Sequence, residues 1–139
     1  MTDLTRLHAH EMADRLRSGE VSSRELTEAH LDAAEAGNHA LNAWLSIDRE
    51  EALRQADAAD ERLATRSPDA HPLLGIPVAL KDLISVRGGQ CTAGSRILEG
   101  YVAPFDAHIT ERLRAVGAVM LGKTNMDEFA MGSSNEHSA

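Results

Sequence analysis

The sequence predicts an α/β fold, and two observations predict it. The first half is written in helical periods with capping signals, and the second half runs strand, connector, helix, strand. Between them Arg66-Ser67-Pro68-Asp69-Ala70-His71-Pro72 reads as a loop, since two prolines with Ser and Asp leave little room for helix or strand. We therefore expect residues 1–66 to form a helix-rich N-terminal segment and residues 67–139 a first α/β portion. At 139 residues the chain is one small domain or a piece of a larger one. Aromatic residues supply 3% of it, so any core is built mainly from Ala and Leu.

Each element has its own signal. From about His8 to Ser18, Met12, Ala13 and Leu16 share one side, and Gly19 is placed to stop the helix. Ser22 precedes Glu25 by three residues, the capping-box spacing, and opens a helix from about Ser23 to Ala36. Leu26, Ala29 and Ala33 form its apolar stripe and Gly37 its expected end. Both helices have thin apolar faces and need a partner surface. Leu41, Ala43, Leu45 and Ile47 then alternate as in a half-buried strand. Asp48 and Glu51 repeat the capping spacing and start a third helix to about Thr65, along which Leu53, Ala56, Asp60 and Leu63 fall. After the loop, Gly75 to Ile84 is apolar and β-prone, and Gly88 to Ser95 is a flexible polar connector. Asp106 is expected to cap a helix carrying Ile109, Leu113 and Val116, which Gly117 closes. Val119-Met120-Leu121 is a short buried strand.

Charge and composition exclude several classes. The net charge of −8 argues against nucleic-acid binding by this chain alone, because a phosphate backbone calls for clustered Lys and Arg. A basic partner that carries the nucleic acid stays open. The apolar stretches fall short of the roughly 20 residues of a membrane helix. Met1-Thr2-Asp3-Leu4 lacks the charged and apolar regions of an export signal. A single cysteine, Cys91, forms no internal disulfide, and together these observations point to the cytoplasm.

Several residues invite chemical readings. Gly117-Ala118-Val119-Met120-Leu121-Gly122-Lys123-Thr124 spells a phosphate loop, but its context is helix then strand rather than strand, loop, helix, so the spelling is a coincidence. Lys81 interrupts the most apolar segment of the chain. In a low-dielectric site a lysine loses its proton more easily and can act as a general base. It can equally be a gatekeeper charge on a strand edge, and composition alone favours that reading. If the segment is extended, Asp82 points to the opposite face and need not pair with Lys81. His8, His10, His30, His39, His71, His108 and His137 include no His-x-x-x-His pair, so no metal site is expected. Cys91 lies in a polar connector and reads as a passive thiol. The tail from Gly122 to Ala139, dense in small and hydrogen-bonding residues, is either a substrate-lining loop or a disordered end.

Gly75-Ile76-Pro77-Val78-Ala79-Leu80-Lys81-Asp82-Leu83-Ile84 resembles the lysine motif of the amidase signature family. Thr92-Ala93-Gly94-Ser95-Arg96-Ile97-Leu98-Glu99-Gly100-Tyr101 and the run from Gly122 to Ser134 resemble one branch of it, the glutaminase (A) subunits of tRNA-dependent glutamyl/aspartyl amidotransferases. The resemblance implies the N-terminal portion of the amidase signature fold, a mixed sheet flanked by helices, incomplete in this chain. It also implies a Ser–cis-Ser–Lys triad in which Lys81 is the catalytic lysine, taking a proton through a bridging serine from the nucleophile. Met131, Gly132 and Ser133 match the stretch lining the family's substrate pocket. The implied substrate is glutamine, and the implied partners are the amidotransferase B and C subunits. Ammonia reaches the B subunit, which amidates misacylated Glu-tRNA(Gln) or Asp-tRNA(Asn) with ATP and magnesium; no cofactor is implied for this chain.

The family motifs that hold the bridging serine and the nucleophile both lie downstream of Ser138-Ala139, and His137 stands where the branch usually has a polar amide. Ser133 and Ser134 are not substitutes for them. The expectation is therefore a front part of such a glutaminase, inactive alone and poorly stable, with strand edges and apolar faces uncovered. Two other readings are a stand-alone amidase of another small amide and a non-catalytic binding module built on the same scaffold.

Overall fold

The structure, a computed structural model, describes residues 3–139. Met1 and Thr2, where the reading of the N-terminus as lacking an export signal begins, lie outside the described residues. Among the described residues there are four α-helices and a three-stranded mixed sheet. The helices are α1 (Ala9–Ser18), α2 (Ser23–Leu41), α3 (Arg49–Ala64) and α4 (His108–Val116). The strands are β1 (Trp44–Ile47), β2 (Pro77–Lys81) and β3 (Val119–Thr124), in the order β1-β3-β2. β3 runs parallel to β2 and antiparallel to β1. The predicted α/β class and mixed sheet are therefore present, and a strand from the first half joins the sheet of the second.

Local signals account for most helix ends. In α1 the Glu11 carboxylate accepts the His8 N–H (2.7 Å), and Gly19 takes the left-handed stop at φ 76°. In α2 the capping box closes both ways: Ser22 Oγ accepts from the Glu25 N–H (3.1 Å) and the Glu25 carboxylate accepts from the Ser22 N–H (2.8 Å). Asp48 caps α3 by accepting the Glu51 N–H at 3.1 Å. Gly37, expected as the end of α2, lies inside it. An interior glycine costs only about 1 kcal/mol, and the next turn is fastened from outside. Asn38 exchanges two hydrogen bonds with the Trp44 backbone, at 2.8 and 3.0 Å, and left-handed Asn42 caps the helix.

Two apolar clusters sit under this frame. Met12, Ala13, Leu16, Val21, Leu26 and Ile76 join α1 and α2 to the approach to β2. Leu31, Ala52, Ala56, Val119 and Leu121 join α2 and α3 to β3, with Trp44, Ile47 and Leu53 packed against them. In α2 it is Leu31, not Ala33, that continues the buried stripe, and Ala33 is exposed. In α3 the buried line is Ala52, Ala56 and Ala59; small side chains there let the helix lie close to β3.

The alternation expected over Leu41 to Ile47 fails at its start and in its middle. Leu41 belongs to α2 and is exposed, and the β1 register slips between Trp44 and Ser46. The slip lets Trp44 and Ile47, three apart, pack against the same cluster. Asp106 does not cap α4, whose N-cap is Ala107. Its carboxylate instead accepts the Arg87 N–H (2.6 Å) and pairs with Arg114 (3.1 Å). β3 continues past Leu121 to Thr124. It can do so because Gly122 has no side chain: a Cβ there would collide with the Ser46 carbonyl oxygen. Finally, the connector expected to be flexible is packed, with Cys91 to Ser95 all buried.

Candidate active site

β2 ends at Lys81. Leu80 and Asp82 on either side of it are buried while Lys81 is exposed, the alternation of an extended strand. Asp82 thus faces away from Lys81, as an extended segment requires.

Asp82 is the centre of a buried polar cluster. Its Oδ1 lies 3.1 Å from Lys123 Nζ, and its Oδ2 accepts the Thr92 N–H (2.8 Å) and hydroxyl (2.5 Å). Lys123 also donates to the Gln90 carbonyl at 3.0 Å. The Asp82 carbonyl in turn accepts the Ala93 N–H (3.3 Å) and the Cys91 thiol (3.2 Å). Both charged side chains are almost wholly shielded from solvent, where an ion pair holds only if its remaining donors and acceptors are satisfied. Here they are. Cys91 is a buried structural thiol, in keeping with its passive reading.

The phosphate-loop spelling is resolved by the same cluster. Gly117 closes α4, residues 119–124 are strand, and Lys123 is spent on Asp82, so no cradle of N–H groups forms there. Among the described residues, no group of three or more His, Cys, Asp or Glu is placed to hold a metal ion. No helix among them is long and apolar enough to cross a membrane.

The tail after β3 folds back on itself. The Asp127 carboxylate is buried and accepts the N–H groups of His137 and Asn135, both at 3.0 Å, which hold its carboxyl below the ordinary aspartate value. The loop is docked on the packed connector: Phe129 N–H donates to the Ala93 carbonyl and Ala139 N–H to the Gly94 carbonyl, both at 2.9 Å. The tail is therefore an ordered loop rather than a loose end. It carries Met131, Gly132 and Ser133 at its exposed rim.

Lys81 and this loop are linked through few bonds. Asp82 follows Lys81, its carbonyl holds Ala93, and Ala93 holds Phe129. Both features lie at the carboxyl ends of the parallel strands β2 and β3, where open α/β sheets place their ligands.

Residues 25–139 match the family model described as Amidase. The chain belongs to the amidase family. Over its whole length this amidase-family chain is 54% identical to the glutamyl-tRNA(Gln) amidotransferase A subunit of Salinispora arenicola, and it covers 28% of that protein. Among solved structures it is similar to an inhibitor-bound member of a vestigial complex described as revealing the origins of an s-triazine catabolic enzyme. That likeness has a TM-score of 0.86 and 36% identity, over 96% of this chain and 30% of the other. It is also similar to the native peptide amidase of Stenotrophomonas maltophilia, with a TM-score of 0.80 and 37% identity, over 89% of this chain and 26% of that one. The amidase-family chain thus spans little more than a quarter of the length of the relatives it matches.

Sequence reasoning missed the Asp82–Lys123 pair. Lys123 enters it only within the phosphate-loop spelling and Asp82 only as the neighbour of Lys81. The available signal was one acid and one base, each embedded in an apolar β-prone run, on strands that a single crossover makes parallel neighbours.

Proposed function

We propose that this chain forms the lysine-bearing portion of the glutaminase subunit of a tRNA-dependent amidotransferase. The observation that carries the reading is the 54% identity, over the whole chain, to a glutamyl-tRNA(Gln) amidotransferase A subunit; it spans both the lysine segment and the tail. On this reading Lys81 is the general base of a Ser–cis-Ser–Lys triad. As a neutral amine it takes a proton through the bridging serine from the nucleophilic serine, which attacks the glutamine amide carbon. Ammonia leaves and an acyl-enzyme remains for water to cleave. Both serines belong to family motifs that follow the region matched here, so residues 1–139 alone release no ammonia.

Met131, Gly132 and Ser133 line the glutamine pocket on this reading, at the rim of the loop that Asp127 folds. Ammonia passes to the B subunit, which uses ATP and magnesium to amidate misacylated Glu-tRNA(Gln) or Asp-tRNA(Asn), and the C subunit completes the assembly. The net charge of −8 fits a division of labour in which tRNA contact falls to a partner. The work is then cytoplasmic, with residues 1–66 a helix-rich N-terminal segment that lends β1 to the sheet and residues 67–139 the first α/β portion of the amidase domain.

The test is a chimera in which this chain replaces the matching 28% of the Salinispora arenicola protein, co-expressed with the B and C subunits of that organism. Glutamine-dependent conversion of Glu-tRNA(Gln) to Gln-tRNA(Gln) supports the reading. Hydrolysis of other small amides with no tRNA product would assign the chain to a stand-alone amidase instead.

A further inference from the structure

The loop that presents Met131, Gly132 and Ser133 is built around one carboxylate. Asp127 is 4% exposed, and each of its oxygens accepts a separate backbone N–H from the far arm of the loop: Oδ2 from Asn135 and Oδ1 from His137, both at 3.0 Å. The two arms are tied again where Glu128 N–H donates to the His137 carbonyl at 3.1 Å. Between these ties the chain turns tightly, with Phe129 and Ala130 in the left-handed region at φ 51° and 60° and Ala130 N–H donating to the Asp127 carbonyl at 2.8 Å. Non-glycine residues stay there only when their surroundings hold them.

Gly132 completes the arrangement. A Cβ at Gly132 would collide with the Asp127 carboxylate, so the absent side chain lets the loop close over the acid. Met131 and Ser133, on either side, are exposed. The acid lies behind the rim and the rim faces outward, so Asp127 touches no ligand itself.

We infer that Asp127 is a positioning residue: by bridging Asn135 and His137 beneath Gly132 it fixes the loop on which Met131 and Ser133 meet the substrate. The inference rests on the glutaminase reading of Lys81 and of this loop. It assigns Asp127 to substrate binding rather than to proton transfer. Its removal therefore lowers affinity for glutamine and leaves the chemical step, which belongs to Lys81 and the serines, largely intact. An amide in place of the carboxylate turns a donor toward one of the two N–H groups, and an unpaired buried donor of that kind corresponds to about a tenfold change in binding.

The experiment uses the same chimera assembled with the B and C subunits. Asp127→Asn and, independently, Gly132→Ala are each expected to raise KM for glutamine about tenfold, with kcat within about twofold. Because both disturb one contact, the double variant is expected to be no worse than the poorer single one. If Asp127→Asn does not assemble, Asp127→Glu, which keeps the charge but displaces the two acceptor oxygens, carries the same prediction. An unchanged KM in the assembled variants, or a fall in kcat with KM constant, overturns the inference while the Lys81 reading stands. Ammonia release that survives Lys81→Ala in a chimera with Asp127 and Gly132 intact overturns the glutaminase reading, and the role of Asp127 with it.

Discussion

Lys123 Nζ lies 3.1 Å from Asp82 Oδ1 in the interior, and the pair fixes the end of the strand that carries Lys81. Asp82 is fully buried and is held by Thr92 as well. Removing one partner of such a pair leaves an uncompensated charge, which costs about 3–5 kcal/mol. Lys123→Met is expected to lower the stability of the chain by that order. In Asp82→Leu/Lys123→Met the loss shrinks, because no charge is left unpaired. Urea denaturation of the three proteins checks this. Equal stability of Lys123→Met and the parent would show that the pair contributes nothing.

The glycine at the crossing of β1 and β3 makes a second prediction. β1 approaches β3 so closely at Gly122 that a methyl group would meet the Ser46 carbonyl and the Ile47 Cα. Gly122→Ala is expected to cost about 1–3 kcal/mol through overpacking and to loosen β1 first. Amide exchange at Ser46 and Ile47 reports the effect, and unchanged protection there would contradict the close approach.

The fold class was legible because its signals are local. Ser22 with Glu25, Gly19, Asp48 and Gly117 each end or begin a helix through bonds made within a few residues. The failures come where distant residues decide. Gly37 does not stop α2 because Trp44 returns to bond Asn38, and Asp106 leaves α4 uncapped because Arg87 and Arg114 claim its carboxylate. For the same reason the polar connector is packed rather than flexible, since Thr92 and Ala93 are bound by Asp82. At the candidate site, the orientation of Lys81 against Asp82 follows from strand alternation. The partnership of Asp82 with Lys123 depends on the strand order, which no local pattern specifies.

A contrast between Ser22 and Asp106 tests the capping argument. Ser22→Ala removes the acceptor for the Glu25 N–H and is expected to cost about 1 kcal/mol. Asp106→Ala is expected to leave the start of α4 unchanged and instead to free the Arg87 N–H. Chemical shifts of residues 108–111 separate the outcomes; a frayed α4 in Asp106→Ala would return Asp106 to the capping role.

Asp127 gives the loop a pH dependence of defined sign. Its carboxyl is held below the ordinary aspartate value by the His137 and Asn135 N–H groups, so the ionised form is the one the folded loop favours. That contribution is complete above the ordinary aspartate value and is lost as pH falls through the depressed one. Amide resonances of Asn135 and His137 are expected to move together at acid pH in the parent and not in Asp127→Asn. Independent movement would mean that they do not share one acceptor.

The proposed role of Lys81 as the base for amide hydrolysis is tested most directly by Lys81→Ala in the chimera assembled with the B and C subunits. Lys81 lies outside the buried Asp82–Lys123 cluster, so the substitution leaves that cluster intact. Thermal melts verify that it has not unfolded the protein. Ammonia release from glutamine is then expected to fall by at least about a thousandfold, while amidation of Glu-tRNA(Gln) supplied with free ammonia continues. Glutamine-dependent ammonia release at the parent rate in a folded Lys81→Ala chimera would contradict the account.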